Sequence, residues 1–180
     1  MHLDFILGGA RSGKSKFAEQ LALKRGGVDG VWFVATLRDT TDAEMQRRIL
    51  RHRAGRPASW PTTVLDDAWR TQLSAPPRAR VAVLDCLSLF ISGVLFMIEP
   101  SPVDADAEDA AESLTLELLA AMTRTRIDWI VVTNEVGMGV VPEHAGARAF
   151  RDALGRANQT MMQAATEAWL LVAGVPLKVR

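Results

Sequence analysis

The sequence predicts an α/β domain built on a mostly parallel β-sheet with helices on both faces. Short, almost continuously apolar segments alternate with helix-like segments along all 180 residues. Strands that are buried on both faces of a parallel sheet have this pattern, whereas half-exposed antiparallel strands alternate apolar and polar residues. The last two apolar segments lie only about four residues apart, which is too close for a helical crossover. We therefore expect one domain over residues 1–180 that ends in an antiparallel strand pair.

The individual elements follow from apolar periodicity and from turn and capping residues. The expected strands are Leu3–Leu7, Val31–Thr36, Val81–Asp85, Trp129–Thr133, Ala168–Val172 and Leu177–Val179. The expected helices are Lys14–Arg25, a helix from the capping box Thr41–Glu44 to near Gly55, Cys86–Ile98, Glu108–Thr125 and Ala145–Thr166. Strand and helix alternate throughout, which favours parallel strands with crossover helices.

Composition excludes several classes of function. Lys plus Arg and Asp plus Glu both total 21, so the formal net charge is zero and we expect no nucleic-acid partner. The single cysteine, Cys86, excludes an internal disulfide and fits a cytoplasmic location. The start Met1–Asp4 lacks the basic region of a signal peptide, and the most apolar stretch falls short of the roughly 20 residues of a bilayer span. We expect no membrane span.

A phosphate-binding loop is predicted at Gly8–Ser15, which reads Gly-Gly-Ala-Arg-Ser-Gly-Lys-Ser. The segment matches G-x-x-x-x-G-K-[ST] and lies between a predicted strand and a predicted helix, as this motif requires. The expected nucleotide-binding residues of the loop are Gly8, Gly9, Ala10, Arg11, Ser12, Gly13, Lys14 and Ser15. Lys14 would reach the β and γ phosphates, and the Ser15 hydroxyl would ligate Mg²⁺. The motif refines the fold class to a RecA-like P-loop NTPase that binds ATP or GTP.

Asp85 is the second predicted metal ligand. It ends the apolar run Val81–Asp85, and ligands in open α/β sheets bind at the carboxyl ends of the strands. A strand-ending aspartate is common in turns and helix caps. Beside a phosphate-binding loop, however, a Mg²⁺ ligand is the favoured interpretation.

His52 lies in an arginine-rich segment with two open interpretations. On a helix it would share a face with Met45 and Ile49, and five arginines surround it within ten residues, namely Arg47, Arg48, Arg51, Arg53 and Arg56. Guanidinium groups bind phosphate oxygens and would keep a nearby imidazole neutral, which is its nucleophilic form. A core-facing histidine among solvated arginines is the more common arrangement. The residues alone leave this open.

Several segments together resemble one enzyme family. They are Ile6–Ser15, Arg48–Pro57 with Trp60, Leu84–Leu89, Val132–Glu143, Phe150–Asp152, Gly155–Gln159 and Trp169–Lys178. Across nearly the whole chain these segments are similar to the bifunctional adenosylcobinamide kinase / adenosylcobinamide-phosphate guanylyltransferase family. The blocks N-E-V-G-M-G-V-V-P-E and H-R-A-G-R-P are far more specific than the phosphate-binding loop.

The resemblance implies two reactions of coenzyme B12 biosynthesis. A nucleoside triphosphate, ATP or GTP, phosphorylates adenosylcobinamide, and GTP then gives GMP to that phosphate through a GMP-histidine intermediate, releasing pyrophosphate. The implied nucleophile is His52, with Lys14 as the second catalytic residue. The implied nucleotide contacts beyond the loop are Ala35, Thr36, Leu37, Arg53, Ala54, Gly55, Arg56 and Asp85. The resemblance also implies a homotrimer.

One position departs from the family pattern. Where the family usually carries a glutamate, a few residues after the tryptophan, this chain has Val64, with Asp66 and Asp67 close by. Either one of these aspartates substitutes, or that nucleotide contact is lost. Two other functions stay open: a P-loop small-molecule kinase without guanylylation, and a non-catalytic nucleotide-binding regulatory or assembly protein.

Overall fold

A seven-stranded, mostly parallel sheet forms the centre of the computed structural model. The structure describes residues 1–37, 43, 46–47, 50, 53, 55–96 and 105–180. The strands are β1 (Leu3–Gly8), β2 (Val31–Ala35), β3 (Thr62–Val64), β4 (Val81–Asp85), β5 (Asp128–Val132), β6 (Glu167–Val172) and β7 (Val175–Lys178). Their order across the sheet is β3-β2-β4-β5-β1-β6-β7, and only β6 and β7 pair antiparallel. This confirms the predicted fold class.

The helices of the described residues pack on the two faces of this sheet. They are α1 (Lys14–Gly26), α2 (Trp69–Ser74), α3 (Leu87–Ile91), α4 (Ala105–Arg124) and α5 (Ala145–Ala164). Helix α1 covers one face, where Ala18 and Ala22 pack against β1, β2, β4 and β5. The other four helices contribute to the core on the opposite face. In the part of the chain that the structure describes, no helix combines the length and apolarity needed to cross a bilayer.

Glycines end α1 and form part of the C-terminal hairpin turn. Gly27 has φ 70°, and its N–H donates to the Leu23 carbonyl at 2.9 Å, which closes the last turn of α1. Between β6 and β7 the turn residues Ala173 and Gly174 have φ of 50° and 86°. Two consecutive positive φ values match the twist of an antiparallel pair, so a two-residue connection suffices.

The amino end of the sheet carries a buried ionic group. Asp4 in β1 is 1% exposed, and burial raises the pKa of its carboxyl, an effect that the nearby Arg25 and His2 oppose. Arg25 Nη2 lies 2.9 Å from Asp4 Oδ1 and 2.9 Å from His2 Nε2. His2 is therefore held in place at this end of the sheet. The main-chain N–H of His2 also donates to Asp128 Oδ1 at 2.7 Å, which fixes the terminus to the start of β5.

The structure adds two elements to those predicted and changes one predicted helix. Strand β3 and helix α2 were not predicted, because β3 has only three residues and α2 only six, too few for a periodic pattern to show. Of the predicted helix Cys86–Ile98, the part that the structure describes, up to Phe96, is α-helical over Leu87–Ile91 and π-helical over Ser92–Phe96. The capping box Thr41–Glu44 lies outside the described residues apart from Ala43, which is helical.

Two leucines of α4 give a matched test of the core. Leu118 is fully buried among the core residues between α4 and the sheet, whereas Leu116 is 53% exposed. We expect Leu118→Ala to lower the free energy of unfolding by about 2–5 kcal/mol, because it leaves a cavity. Leu116→Ala should change it by less than about 0.5 kcal/mol. Urea unfolding followed by circular dichroism measures both, and equal losses would contradict this packing.

Candidate active site

The phosphate-binding loop Gly8–Ser15 connects β1 to α1 and has a strained backbone that needs glycine. Gly8 has φ 154° and Gly13 has φ 95°, values that residues with a Cβ rarely adopt. A Cβ on Gly8 would lie 2.6 Å from the carbonyl oxygen of Leu171, whereas nothing lies within 4 Å of a Cβ on Gly9. Lys14 is 8% exposed, and its Nζ donates to the Gly9 carbonyl at 2.7 Å. The ammonium group therefore lies inside the loop, where a P-loop lysine meets phosphate oxygens.

Neighbouring elements hold this loop from two sides. The Gly174 N–H of the hairpin turn donates to the Ser12 carbonyl at 2.9 Å, and the Glu135 N–H after β5 donates to the Gly8 carbonyl at 3.1 Å. Gly13 would carry a Cβ only 3.2 Å from the Cα of Gly174, so the two chain segments touch closely. The loop is preorganised for an anion, because neighbouring elements bind two of its carbonyls, those of Gly8 and Ser12, while α1 begins at Lys14.

An open pocket lies beside the loop. It brings together six predicted site residues, namely Ser15, Ala35, Leu37, Arg53, Arg56 and Asp85. Five further residues complete the lining, and the sequence argument did not propose them: Phe33, Thr62, Val64, Cys86 and Leu89. They come from β2, from the unpredicted β3 and from the segment after β4. The pocket therefore combines an apolar wall with two guanidinium groups and a carboxylate.

The remaining predicted residues fall into three groups. Gly8, Gly9, Ala10, Arg11, Ser12, Gly13 and Lys14 form the loop described above. Thr36 does not line this pocket and is 7% exposed, and its hydroxyl donates to the Cys86 carbonyl at 2.8 Å. Gly55 lies in an exposed turn. His52 and Ala54 lie outside the described residues, so the nucleophile assignment stays a prediction.

Arg56 forms one side of the pocket. Its guanidinium carbon lies 3.5 Å from the centroid of the Phe33 ring, a cation–π contact. Burial lowers the pKa of Arg56, while the charges of Glu19 and Asp85 raise it. The group stays charged, because the ordinary arginine pKa lies far above neutrality. A partly desolvated guanidinium next to an aromatic ring suits a nucleotide, which presents both phosphate oxygens and a flat base.

Glu19 belongs to this site although sequence reasoning missed it. It lies one helical turn after Ser15 on α1, so both side chains project from one face of the helix. Burial raises the pKa of Glu19 to about 7, opposed by Arg56 and reinforced by Asp85. The i, i+4 spacing from the loop serine was the signal that could have identified it.

The positions of Val64 and Asp66 answer part of the question of what replaces the family glutamate. Val64 lines the pocket, so an apolar side chain replaces the glutamate there. The Asp66 Oδ1 accepts from the Ala68 N–H at 2.7 Å, and Asp66 lines a separate smaller hollow with Leu65 and Phe90. Asp66 does not line the pocket, so it does not replace the family glutamate there. The pocket wall here is apolar.

Cys86 is a structural residue of this site. It is 8% exposed, and burial raises the pKa of its thiol, with the Asp85 charge adding to the effect. A thiol with a raised pKa is a poor nucleophile at neutral pH. Its Sγ lies 2.9 Å from Ser88 Oγ, and its N–H donates to Thr36 Oγ1 at 2.7 Å. The bond to Thr36 joins the end of β4 to the end of β2.

The two glycines at the start of the loop provide a matched test of its geometry. We expect Gly8→Ala to lower the free energy of unfolding by about 1–3 kcal/mol, because the residue has positive φ and its Cβ would meet the Leu171 carbonyl. Gly9→Ala should change it by less than about 0.5 kcal/mol, since its Cβ meets nothing. Chemical unfolding measures both variants. Equal effects would disprove the close approach at Gly8.

The raised pKa of Glu19 predicts a pH dependence of stability. The unfolded chain releases this proton near pH 4.5 and the folded protein near pH 7, so the protonated carboxyl favours the folded state. Its contribution is therefore present at low pH and is lost as the pH rises from about 4.5 to about 7. Glu19→Gln should remove this loss of stability. The free energy of unfolding of the variant, minus that of wild type, should therefore increase as the pH rises across that window. Urea titrations between pH 4.5 and 8 measure the difference.

A matched control is Asp109→Asn on the exposed face of α4. Its free energy of unfolding should run parallel to that of wild type between pH 5 and 8. If the Glu19→Gln curve is parallel as well, Glu19 does not hold its proton more tightly in the folded protein.

Comparisons with known proteins agree with this geometry. Solved structures show the fold: an ATPase from the type III secretion system of pathogenic bacteria has a TM-score of 0.56 at 10% identity, covering 95% of this chain and 51% of that one. The flagellar accessory protein FlaH from Methanocaldococcus jannaschii has a TM-score of 0.50 at 15% identity, covering 99% and 78%. Both are P-loop folds with a sheet of the kind described above.

Relatives with known names cover nearly the full length. The bifunctional adenosylcobalamin biosynthesis protein CobU of Salmonella typhimurium is 40% identical over 97% of this chain and 98% of its own length. CobP of Pseudomonas aeruginosa, with the same bifunctional name, is 37% identical over 98% and 96%. The family model for cobinamide kinase / cobinamide phosphate guanyltransferase matches residues 4–179. This chain belongs to the cobinamide kinase / cobinamide phosphate guanyltransferase family.

Proposed function

We propose that this chain, acting as one domain of residues 1–180, is a bifunctional transferase of cobalamin biosynthesis. In the first reaction a nucleoside triphosphate phosphorylates adenosylcobinamide. In the second, GTP transfers GMP to the resulting phosphate and releases pyrophosphate, giving adenosyl-GDP-cobinamide. The observation that carries the proposal is the full-length family match, together with a pocket in which Ser15, Arg56 and Asp85 meet beside the phosphate-binding loop.

The loop and Lys14 would hold the phosphates. The buried Lys14 ammonium donates to the Gly9 carbonyl and can exchange this bond for phosphate oxygens. Backbone N–H groups and the first turn of α1 add partial positive charge at the same place. These groups stabilise the charge that develops on the leaving phosphate in both reactions.

Ser15 and Asp85 fit a Mg²⁺ ion. Both side chains offer hard oxygen ligands, and both line the same pocket. We propose that they hold Mg²⁺ with the nucleotide. The bound ion would neutralise part of the charge on the phosphate oxygens.

His52 is the proposed nucleophile of the guanylyl transfer. A ring nitrogen of His52 would bond to the α-phosphorus of GTP while the bond from that phosphorus to the bridging oxygen breaks and pyrophosphate leaves. An oxygen of the cobinamide phosphate would then displace the histidine. Arg53 and Arg56 line the pocket a few residues further along the chain, and their charges support phosphate binding there.

We also propose that the protein is a cytoplasmic homotrimer, as the family resemblance implies. An exposed apolar segment after β5 supports self-association, since exposed patches of this kind commonly mark interfaces. Met138 is 80% exposed, Val140 95% and Val141 58%.

Labelling with GTP tests the proposed function. GTP carrying ³²P at the α position should leave label on the wild-type protein, and the label should be acid-labile and alkali-stable, as expected for a phosphoramidate. His52→Ala should abolish the label while triphosphate binding changes by less than about twofold, because the histidine contributes only in the chemical step. A P-loop kinase without guanylylation would give no label on the wild-type protein.

The matched control is His144→Ala, at an exposed position before α5. This variant should label like wild type. Label that persists in His52→Ala would remove His52 from the mechanism.

A further inference from the structure

A buried chain of polar groups runs along the carboxyl edge of the sheet. It begins at Thr36 and Cys86, which exchange two hydrogen bonds, and continues from Cys86 Sγ to Ser88 Oγ at 2.9 Å. Asn134 Nδ2 then donates to Ser88 Oγ at 2.9 Å. Thr36, Cys86 and Ser88 are each less than one tenth exposed. The chain therefore links the proposed nucleotide site to the residue that follows β5.

Helix α5 fixes Asn134 from the other side. Asn158 Nδ2 donates to the main-chain carbonyl of Asn134 at 3.1 Å, and Asn158 Oδ1 accepts from Thr133 Oγ1 at 2.8 Å. Thr133 is fully buried and Asn158 is 6% exposed. Buried polar networks with every member bonded are rigid, so both the backbone and the side chain of Asn134 are held in one position.

Asn134 lies between Asp85, the proposed metal ligand, and the phosphate-binding loop, both of which the phosphoryl transfer needs. In the sheet, Val132 of β5 pairs with Asp85 of β4 on one side and with Ile6 of β1 on the other. Two residues later Asn134 is level with Gly8, and the next N–H, that of Glu135, donates to the Gly8 carbonyl. Asn134 thus separates the proposed metal ligand from the phosphate-binding loop.

The Asn134 amide presents one group to a substrate. Its Nδ2 binds Ser88, and because the amide is planar this bond also fixes the direction of Oδ1. Among the residues that the structure describes, none donates a hydrogen bond to Oδ1, and the side chain is only half-buried. A carbonyl oxygen repels phosphate oxygens, which are also acceptors. Its partner has to be a donor, and the acceptor alcohol of the kinase reaction is a substrate group that carries an O–H.

We propose that Asn134 Oδ1 accepts the hydrogen bond of the cobinamide hydroxyl and positions it for attack on the γ-phosphorus. This inference rests on the proposed function. The hydroxyl oxygen bonds to the γ-phosphorus while the bond from that phosphorus to the β–γ bridging oxygen breaks, and its electron pair leaves with the nucleoside diphosphate. The hydroxyl proton passes to water, because a neutral amide oxygen is not a base. The cobinamide phosphate of the second reaction is an anion without a comparable donor, so Asn134 serves the first reaction only.

The test compares the two reactions in one variant. Asn134→Ala should lower kcat/KM for adenosylcobinamide in the kinase reaction by roughly 10- to 100-fold, since one hydrogen bond and the alignment of the hydroxyl are lost. The KM for ATP and the rate at which α-labelled GTP modifies the protein should stay within about twofold of wild type. Ser88→Ala, which frees the amide to rotate but keeps Oδ1, should give a smaller loss in the same reaction. Gln159→Ala, at an exposed position beside Asn158, should leave both rates unchanged.

Three outcomes would overturn the assignment. A kinase reaction as fast in Asn134→Ala as in wild type removes Asn134 from positioning the hydroxyl, while the proposed function stands. Equal losses in the kinase reaction and in protein labelling would mean that the substitution only damages the nucleotide site. A wild-type protein that transfers no phosphate to adenosylcobinamide would remove both this inference and the kinase half of the proposed function.

Discussion

The parallel register of β4, β5 and β1 is the constraint on which the rest of the site depends. Val132 pairs with Asp85 and with Ile6 in the same sheet, so β4 and β5 end at one level and β1 runs two residues further, to Gly8. A carboxylate, an amide and a glycine loop that are far apart in sequence therefore meet at one edge. The bond from the Glu135 N–H to the Gly8 carbonyl extends this pairing past the strand ends. A slip of one residue would turn each side chain to the other face and separate these groups.

The two ends of the sheet handle buried polar groups in different ways. At the amino end the Asp4 carboxylate is paired with Arg25, which also contacts His2. At the carboxyl end neutral hydroxyl, thiol and amide groups bond to one another from Thr36 to Asn158. A neutral network costs less desolvation than buried charges. It can therefore hold the strand ends in place and leave the charged groups, such as Arg56 and Asp85, at the pocket.

The elements with strong local signals were predictable, and those that depend on tertiary contacts were not. The phosphate-binding loop follows from residue type at fixed spacing, and Gly27 and Gly174 marked the end of α1 and the hairpin. Phe33 gave no such signal, and Glu19 gave only its i, i+4 spacing from Ser15, since each joins the site because α1 and β2 pack on either side of Arg56. The role of His2 was not predictable, because position at a terminus says nothing about the distant Asp128 that binds its main-chain N–H. The predicted nucleophile, His52, stays a prediction.

The side chains at this edge of the sheet suggest how one chain can transfer groups to two different substrates, a neutral alcohol and a phosphate anion. An alcohol needs a hydrogen-bond acceptor to orient its O–H, and the half-buried Asn134 amide, fixed by Ser88, offers one. A phosphate acceptor needs cations, and Arg53 and Arg56 line the pocket on the side of β2 and β3. Guanidinium groups would give little orientation to a neutral alcohol, and an amide oxygen would repel a phosphate. The proposed reactions are thus separated by the type of group that meets each acceptor, while the loop that binds the triphosphate is common to both.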